Sequence, residues 1–398
     1  MNIESFKLLH TPMGIDALEL AANLNPREED FLRHFQMIER RFPAEIVRAA
    51  LETAILRREA AQKFPFAQKM FFTRQALQQA SGWEIAVYRA ARYAGFDTAL
   101  DLGCSIGSDT LGLAEVVFTI GLDIDHLRLV MARANAENLG LQNRTVFFRA
   151  DLYKGIPLRF SSKAEKIACF FDPARRKGER RIFSVYDYHP PLNVINDWLK
   201  VYPTLGVKIS PGVDLNEVRS YNAEVEFISL HGELKEAVLW FGSFKTTQRR
   251  ATLLPGRYTI CGECPDALPL SRPLAYLYEP DPSILRAGLV ALLGTQIGAR
   301  QLDPAIAYLT SDHLEITPFA RVWEIEDWFP FGLKRLRVYL RERGVGRVTI
   351  KKRGSPLVPE TLIRELRLQG NEERVVFLTQ LMGKPIVIVS FPEKTRYE

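Results

Sequence analysis

From Phe96 onward, short β-rich runs alternate with helical ones. "TALDLGC", "VFTIGLDID", "TVFFRADL", "KIACFFDP" and "LGVKISP" read as strands, and "DTLGLAEV", "HLRLVMARANAENLG" and "PPLNVINDWLKVY" read as the helices between them. Strands separated by helices imply right-handed crossovers, and hence a parallel, doubly wound α/β sheet with helices on both faces. In such a sheet the carboxyl ends of successive strands line one crevice. Asp101, Asp123, Asp151 and Asp172 all stand at those ends.

Upstream, residues 1–95 show no strand-like alternation. "DFLRHFQMIERRFPAEIVRAALETAILRREAAQKF" repeats apolar residues every three or four positions, interrupted at Pro43. "TRQALQQASGWEIAVYRAARYAGF" continues the helical pattern, with Thr73 as an N-cap and Gly95 as a helix end. Downstream, "EVEFISLHGELKEAVLWFGSF" reads as an antiparallel hairpin about Gly232 that closes the sheet edge. A Pro/Gly-rich stretch then runs to about Pro282, followed by "SILRAGLVALLGTQIG", read as one helix ending at glycine. From about Thr317 the β/α alternation returns as a compact α+β unit with a closing hairpin at Met382-Gly383-Lys384. The expected divisions are residues 1–95, 96–256, 257–316 and 317–398.

Composition narrows the partners. A net charge of +6 is modest, but it is concentrated in Arg175–Arg181 and Arg335–Arg353, which points to an anionic partner as readily as to solvated faces. Four cysteines in 398 residues argue against a disulfide scaffold. Cys261-Gly-Glu-Cys264 has no second pair at zinc-ribbon spacing, so no metal is expected. The N-terminus lacks a basic start followed by an apolar core, and no run approaches the ~18 apolar residues of a membrane span. A cytoplasmic protein with no membrane span is expected.

"ALDLGCSIGSDT" is a strand running through an acid into glycines and a helix start. Small residues there let backbone amides approach a ligand. A nicotinamide site would want G-x-G-x-x-G, whereas Gly103 and Gly107 flank Cys104-Ser105-Ile106. The same five residues match the G-x-S-x-G elbow of hydrolases, but that elbow leaves Asp101, Asp123 and Asp151 without a role. The third reading is S-adenosyl-L-methionine, which carries a sulfonium and an ammonium but no phosphate. Asp101 would then face its amino-acid end, Asp123 its ribose and Asp151 its adenine amine, with Gly103, Ser105 and Gly107 forming the turn.

"DLGCSIGSD", "GLDID", "ARANAENLG" and "FRADL" resemble the successive motifs of class I S-adenosylmethionine-dependent methyltransferases. More narrowly, "KFPFAQKMFFTRQALQQASGWEIAVYRAARY", "FFDPARR", "VKISPGVD", "GELKEAVLWFG", "RRATLLPG", "YLYEPDPSILRAGLV" and "IKKRG" resemble a prokaryotic methyltransferase family with a THUMP-like C-terminal domain. The resemblance covers nearly the whole chain. It implies an N-terminal helical region (1–95), a Rossmann-like methyltransferase domain (96–256), a small ferredoxin-like domain (257–316) and a THUMP-like domain (317–398). The sequence departs from the family at Ser105 and Ser108, where glycine is usual. A serine there can still donate its amide if its φ is negative.

The stretch "FFDPARR" then falls where the methyl group is transferred. Asp172-Pro173 presents a carboxylate and a backbone carbonyl held by proline, both suited to an exocyclic amine. It is similar to the D-P-P-Y of amino-methylating nucleic-acid enzymes but lacks the stacking aromatic, which Phe183 or Tyr186 could supply. It also resembles the D-P-P-R of uracil carbon-5 methyltransferases, which need a cysteine where "VKISPG" has Ser210. Arg175, Arg176, Arg180 and Arg181 suit phosphate beside the catalytic mouth, with Lys351, Lys352 and Arg353 as a second anchor. A THUMP-like domain implies RNA, such as tRNA. The alternatives are a protein or small-molecule substrate, or a non-catalytic RNA-binding module. His189 and His231 are expected to be structural.

Overall fold

The computed structural model describes the chain except residues 159–165, 178–179, 182, 264, 266 and 394–398, and the side chains of residues 176, 177, 180 and 181. The chain forms two compact units. Unit 1 is Met1–Ala223 with Val238–Thr246, and unit 2 is Glu224–Ala237 with Thr247–Glu398.

Unit 1 begins with helices α1 (Ile3–Leu8), α2 (Pro12–Asn23), α3 (Phe31–Ile38), α4 (Ala44–Ala60), α5 (Arg74–Gln79) and α6 (Trp83–Ala90). Pro43 caps the start of α4, as a residue that begins a helix but cannot continue one must. Thr73 caps α5 by accepting the Ala76 amide at 3.1 Å. The helix expected through α5 and α6 is broken, because Ala80 and Gly82 both take extended backbone (ψ 137° and 152°).

The parallel sheet follows: β1 (Thr98–Leu102), α7 (Ser108–Ala114), β2 (Phe118–Asp123), α8 (His126–Asn138), β3 (Thr145–Arg149) and β4 (Ile167–Phe171). Two short strands come next, β5 (Arg176–Lys177) and β6 (Arg180–Arg181), then α9 (Ile195–Val201), β7 (Leu205–Ile209) and α10 (Leu215–Val218). The strand order β3-β2-β1-β4-β7 reverses direction at β1, which makes the carboxyl ends of β1 and β4 the switch point where ligands bind. Leu102 pairs with Leu122 on one side and Phe171 on the other. The next residues, Gly103, Asp123 and Asp172, therefore leave the sheet at one level.

The helices before β1 share their core with the sheet. One buried cluster joins Leu51, Phe64, Met70 and Phe71 to Ile106, Leu111, Met131 and Phe147. At its centre Asn135, on α8, is fully buried. It accepts the Phe71 amide at 2.7 Å and donates to the carbonyls of Phe71 at 3.1 Å and Ile106 at 3.0 Å.

Unit 2 contains β8 (Glu224–Leu230), the first part of β9 (Glu233–Trp240), β10 (Arg249–Leu254) and β11 (Tyr258–Cys261). The β8–β9 hairpin does not close an edge as expected. β10 pairs parallel to β8, and β11 antiparallel to β10. The remaining elements are β12 (Tyr276–Pro280), α11 (Pro282–Ala287), α12 (Val290–Gln296), β13 (Arg300–Asp303), β14 (Ile306–Ser311), β15 (Ala320–Pro330), α13 (Leu333–Glu342), β16 (Val345–Lys352), α14 (Pro359–Leu366), β17 (Glu372–Leu381) and β18 (Lys384–Ser390). The helix expected at residues 283–298 is two helices, because Gly288 takes a left-handed conformation (φ +70°) and caps α11. Strands β12–β18 pair into one seven-stranded sheet. Along β17, Val375 and Phe377 face one core while Val376 and Leu378 face the other, the period-two pattern of a strand buried on both sides.

Candidate active site

The turn after β1 is tighter than its sequence suggests. Gly103, Ser105 and Gly107 all have positive φ (+84°, +51° and +85°). A Cβ on Gly103 would sit 3.0 Å from the Asp172 carbonyl oxygen, so glycine is what lets these two strand ends approach. The condition set for Ser105, a negative φ, is not met. Its left-handed backbone turns the amide onto Asp123 Oδ2 at 2.8 Å, and that charge-assisted bond offsets a strain of about 1–2 kcal/mol.

Asp123 is thereby fixed from two sides, since its Oδ1 accepts the Asp125 amide at 2.8 Å. Burial pushes this carboxyl above the usual range, and the two amides pull it back. Asp101 is different. It is fully buried, accepts from the Thr110 hydroxyl at 2.5 Å, and its Oδ1 has no hydrogen-bond partner among the described residues. Burial first, then the Asp109 carboxylate, holds it well above the usual range.

A cavity of about 510 Å³ opens over these strand ends. Of the residues expected there, Gly103, Ser105, Asp123, Asp151, Asp172, Pro173 and Arg175 line it, and Asp101 and Gly107 do not. Gly107 packs behind it, where a Cβ would meet Ala132 at 3.2 Å. Asp151 accepts the Tyr153 amide at 3.1 Å. Asp109 also lines the cavity and pairs with buried Arg89, whose guanidinium lies 4.5 Å over the Phe170 ring.

Asp172 does not stand alone. Its Oδ2 lies 2.6 Å from Nζ of Lys208, a lysine on β7 whose side chain is 3% exposed. The same ammonium donates to the Gln79 carbonyl at 3.4 Å. Sequence reading passed over Lys208; the one available signal was a charge inside the apolar run "LGVKIS". His189 lines the cavity, its Nδ1 is 3.0 Å from the Tyr153 hydroxyl, and its backbone pairs with Ala174. Tyr153 and His189 are the rings at the opening. Phe183 and Tyr186 are exposed and line no part of it. Ser210 is buried, with its amide donated to the Tyr188 hydroxyl at 3.0 Å.

The side chains of Arg176, Arg180 and Arg181 lie outside the described residues, as does Cys264. In unit 2, Lys351 and Arg353 both pair with Glu279, while Lys352 is exposed and donates to the Leu357 carbonyl at 3.0 Å. Among the described residues no helix is long and apolar enough to cross a membrane.

Carboxylates outnumber cations on the cavity wall, with Asp109, Asp123, Asp125, Asp151 and Asp172 against Arg128 and Arg175. That excess of acid suits a ligand carrying a sulfonium and an ammonium. A doubly wound sheet with a glycine turn at its switch point and acids at successive strand ends is the architecture of the class I methyltransferases. Comparison with known proteins agrees. Residues 320–391 match the family model described as THUMP domain-like, and residues 2–60 match a domain of unknown function. Uncharacterized S-adenosylmethionine-dependent methyltransferases from two strains of Mycobacterium tuberculosis are 35% identical over 83% of this chain and 92% of theirs. A crystal structure from Porphyromonas gingivalis W83, described as a methyltransferase, superposes with a TM-score of 0.71 at 20% identity, covering 92% of this chain and 99% of that one. The chain belongs to the S-adenosylmethionine-dependent methyltransferases and carries a THUMP-like domain near its C-terminus.

Replacing Asp123 with alanine removes the acceptor that two backbone amides hold in place. Cofactor affinity is expected to fall about tenfold or more, since a charge-assisted hydrogen bond is worth roughly 1.5–3 kcal/mol. Titration of S-adenosylmethionine by calorimetry checks it, and an unchanged affinity would remove Asp123 from the site.

Proposed function

We propose that this enzyme is cytoplasmic and methylates a base nitrogen of a structured RNA such as tRNA. The observation that carries the reading is the Asp172–Lys208 pair at the wall of the cavity. Lys208 holds one carboxylate oxygen of Asp172 from inside the sheet, and the carboxylate faces the cavity as an acceptor of fixed position. An exocyclic amine donating to it is oriented with its lone pair toward the cofactor. S-adenosylmethionine supplies an electrophilic methyl group, so much of the catalysis reduces to this orientation. The proton released from the methylated nitrogen passes to Asp172 and then to water.

In this reading Asp123 holds the ribose hydroxyls and Asp151 the adenine amine. Gly103, Ser105 and Gly107 shape the turn that receives the amino-acid end, with Asp101 buried beneath it. Arg175 stands at the cavity and would meet phosphate, together with Arg176, Arg180 and Arg181. The THUMP-like match supports an RNA substrate, and Lys352 is the exposed member of its basic turn.

The test is transfer of labelled methyl from S-adenosylmethionine to total RNA from a strain lacking this gene, with Asp172→Asn as control. Label is expected in RNA with the intact enzyme and not with the variant. Label confined to protein or small molecules would replace the RNA reading. RNA affinity is also expected to fall steeply with salt, because phosphate contacts release counterions. A flat salt response measured by filter binding would exclude the arginine cluster as phosphate contacts.

A further inference from the structure

Unit 2 contains a second cavity, of about 400 Å³, which shares no lining residue with the first. Five separate segments build it: the β8–β9 turn at His231-Gly232, Leu253–Tyr258, Glu279–Pro282, Thr317–Arg321, and Arg353. Three of the stretches singled out in the sequence, "RRATLLPG", "YLYEPDPSILRAGLV" and "IKKRG", meet there.

Its charges are unevenly satisfied. Of the two acids, Glu279 is engaged by Lys351 and Arg353. Asp281 caps α11, its Oδ1 accepting the Ser283 amide at 2.9 Å and hydroxyl at 2.7 Å. The two cations keep donor capacity. The Arg353 guanidinium lies 4.9 Å over the Tyr308 ring with Nη1 buried, and the side chain as a whole keeps 28% of its surface exposed. Arg321 reaches Glu393 only at 3.8 Å. A guanidinium carries five N–H donors and each of these arginines spends few on its carboxylate, so an anion entering the cavity finds donors.

Most of the rest of the wall is apolar, with His231 and Thr317 as its polar members. The Tyr258 ring lies so close over Gly256 that a Cβ there would sit 2.1 Å from it, which fixes the ring's place while leaving it 45% exposed. Phe319, Pro255, Pro280 and Pro318 complete this surface. The volume is at the small end of ligand cavities, which run roughly 300–1,000 Å³, and so suits one planar ring with one anionic group.

We propose that this second cavity binds a single nucleoside monophosphate unit, with its phosphate on Arg353 and Arg321 and its base against Tyr258. The unit is either a free nucleotide or an unpaired residue of an RNA strand; the recognition chemistry is shared. The site is independent of methyl transfer, so failure of either reading leaves the other standing.

The full-length protein is saturated with S-adenosylhomocysteine to fill the first cavity and is then titrated with nucleoside 5′-monophosphates, with orthophosphate, and with a short single-stranded oligoribonucleotide as competitor. At least one nucleotide is expected to bind about tenfold or more tighter than orthophosphate, because stacking adds roughly 1–3 kcal/mol per base. Arg353→Met and Tyr258→Ala are each expected to weaken nucleotide binding about tenfold or more while leaving cofactor affinity unchanged. Tyr258 is 45% exposed and is not one of the buried core residues, so it keeps the test informative if Arg353→Met misfolds. Competition by the oligoribonucleotide assigns the site to RNA, and lack of competition assigns it to a free nucleotide. Absence of binding by both probes, orthophosphate binding as tightly as any nucleotide, or full affinity in Tyr258→Ala would overturn the proposal.

Discussion

Asp172→Ala is expected to destabilise the protein more than Lys208→Met, although only Asp172 faces the cavity. Removing one partner of a buried ion pair typically costs about 3–5 kcal/mol, because the other charge is left without compensation. The Lys208 side chain is 3% exposed and that of Asp172 is 18% exposed. Alanine at Asp172 strands an ammonium inside the sheet, leaving it the Gln79 carbonyl at 3.4 Å. Methionine at Lys208 strands a carboxylate that water in the cavity can reach, and its cost falls toward the lower end of that range. The double variant Asp172→Asn, Lys208→Met removes both charges and should recover most of the stability, since apolar replacement of a whole buried pair is often neutral. Methyl transfer should remain at least about 100-fold down in all three, the loss usual for a misplaced catalytic group. Urea midpoints and label transfer on the same preparations separate the two effects. Equal midpoints for all variants would mean that the pair carries no energy.

The second large effect is expected at a residue that touches no ligand. Asn135→Leu keeps the branching and heavy-atom count of the side chain but strands the Phe71 amide and the carbonyls of Phe71 and Ile106. Each unsatisfied buried group costs about 1–3 kcal/mol, so a loss of roughly 3–9 kcal/mol is expected in thermal or urea unfolding. Because Ile106 lies inside the glycine turn, cofactor affinity should also drop in the fraction that stays folded. Unchanged affinity in that fraction would show that the helices before β1 do not brace the turn.

These two positions also mark where the sequence was readable and where it was not. The parallel sheet was legible because apolar runs, glycines and helical periods each act locally and agree with one another. The acids at strand ends were legible as a group for the same reason. Their separate duties were not. Asp123 and Asp101 look alike in the sequence, yet one lines the cavity and the other is buried beneath its floor. Lys208 and Asn135 act through partners 36 and 64 residues away, and no local pattern announces such a contact. Ser105 reverses the usual inference: serine argues against a left-handed backbone, but the bond to Asp123 overrides that preference. The helix expected across Gly288 failed on one glycine whose left-handed conformation local periodicity does not report.

The chain crosses between its units after Ala223, after Ala237 and after Thr246. Two proteins fused end to end would cross once. Here unit 1 needs its returning segment, since the Phe241 amide donates to the Leu205 carbonyl at 2.9 Å and Arg92 donates to the Phe244 carbonyl at 2.8 Å. A gene broken at residue 223 loses those bonds, and one broken at residue 246 carries β8 and part of β9 without β10 beside them. No single recombination breakpoint therefore yields an intact half. The catalytic unit and the unit that carries the THUMP-like domain must be inherited together, and neither can be shuffled onto a new partner without rebuilding the other.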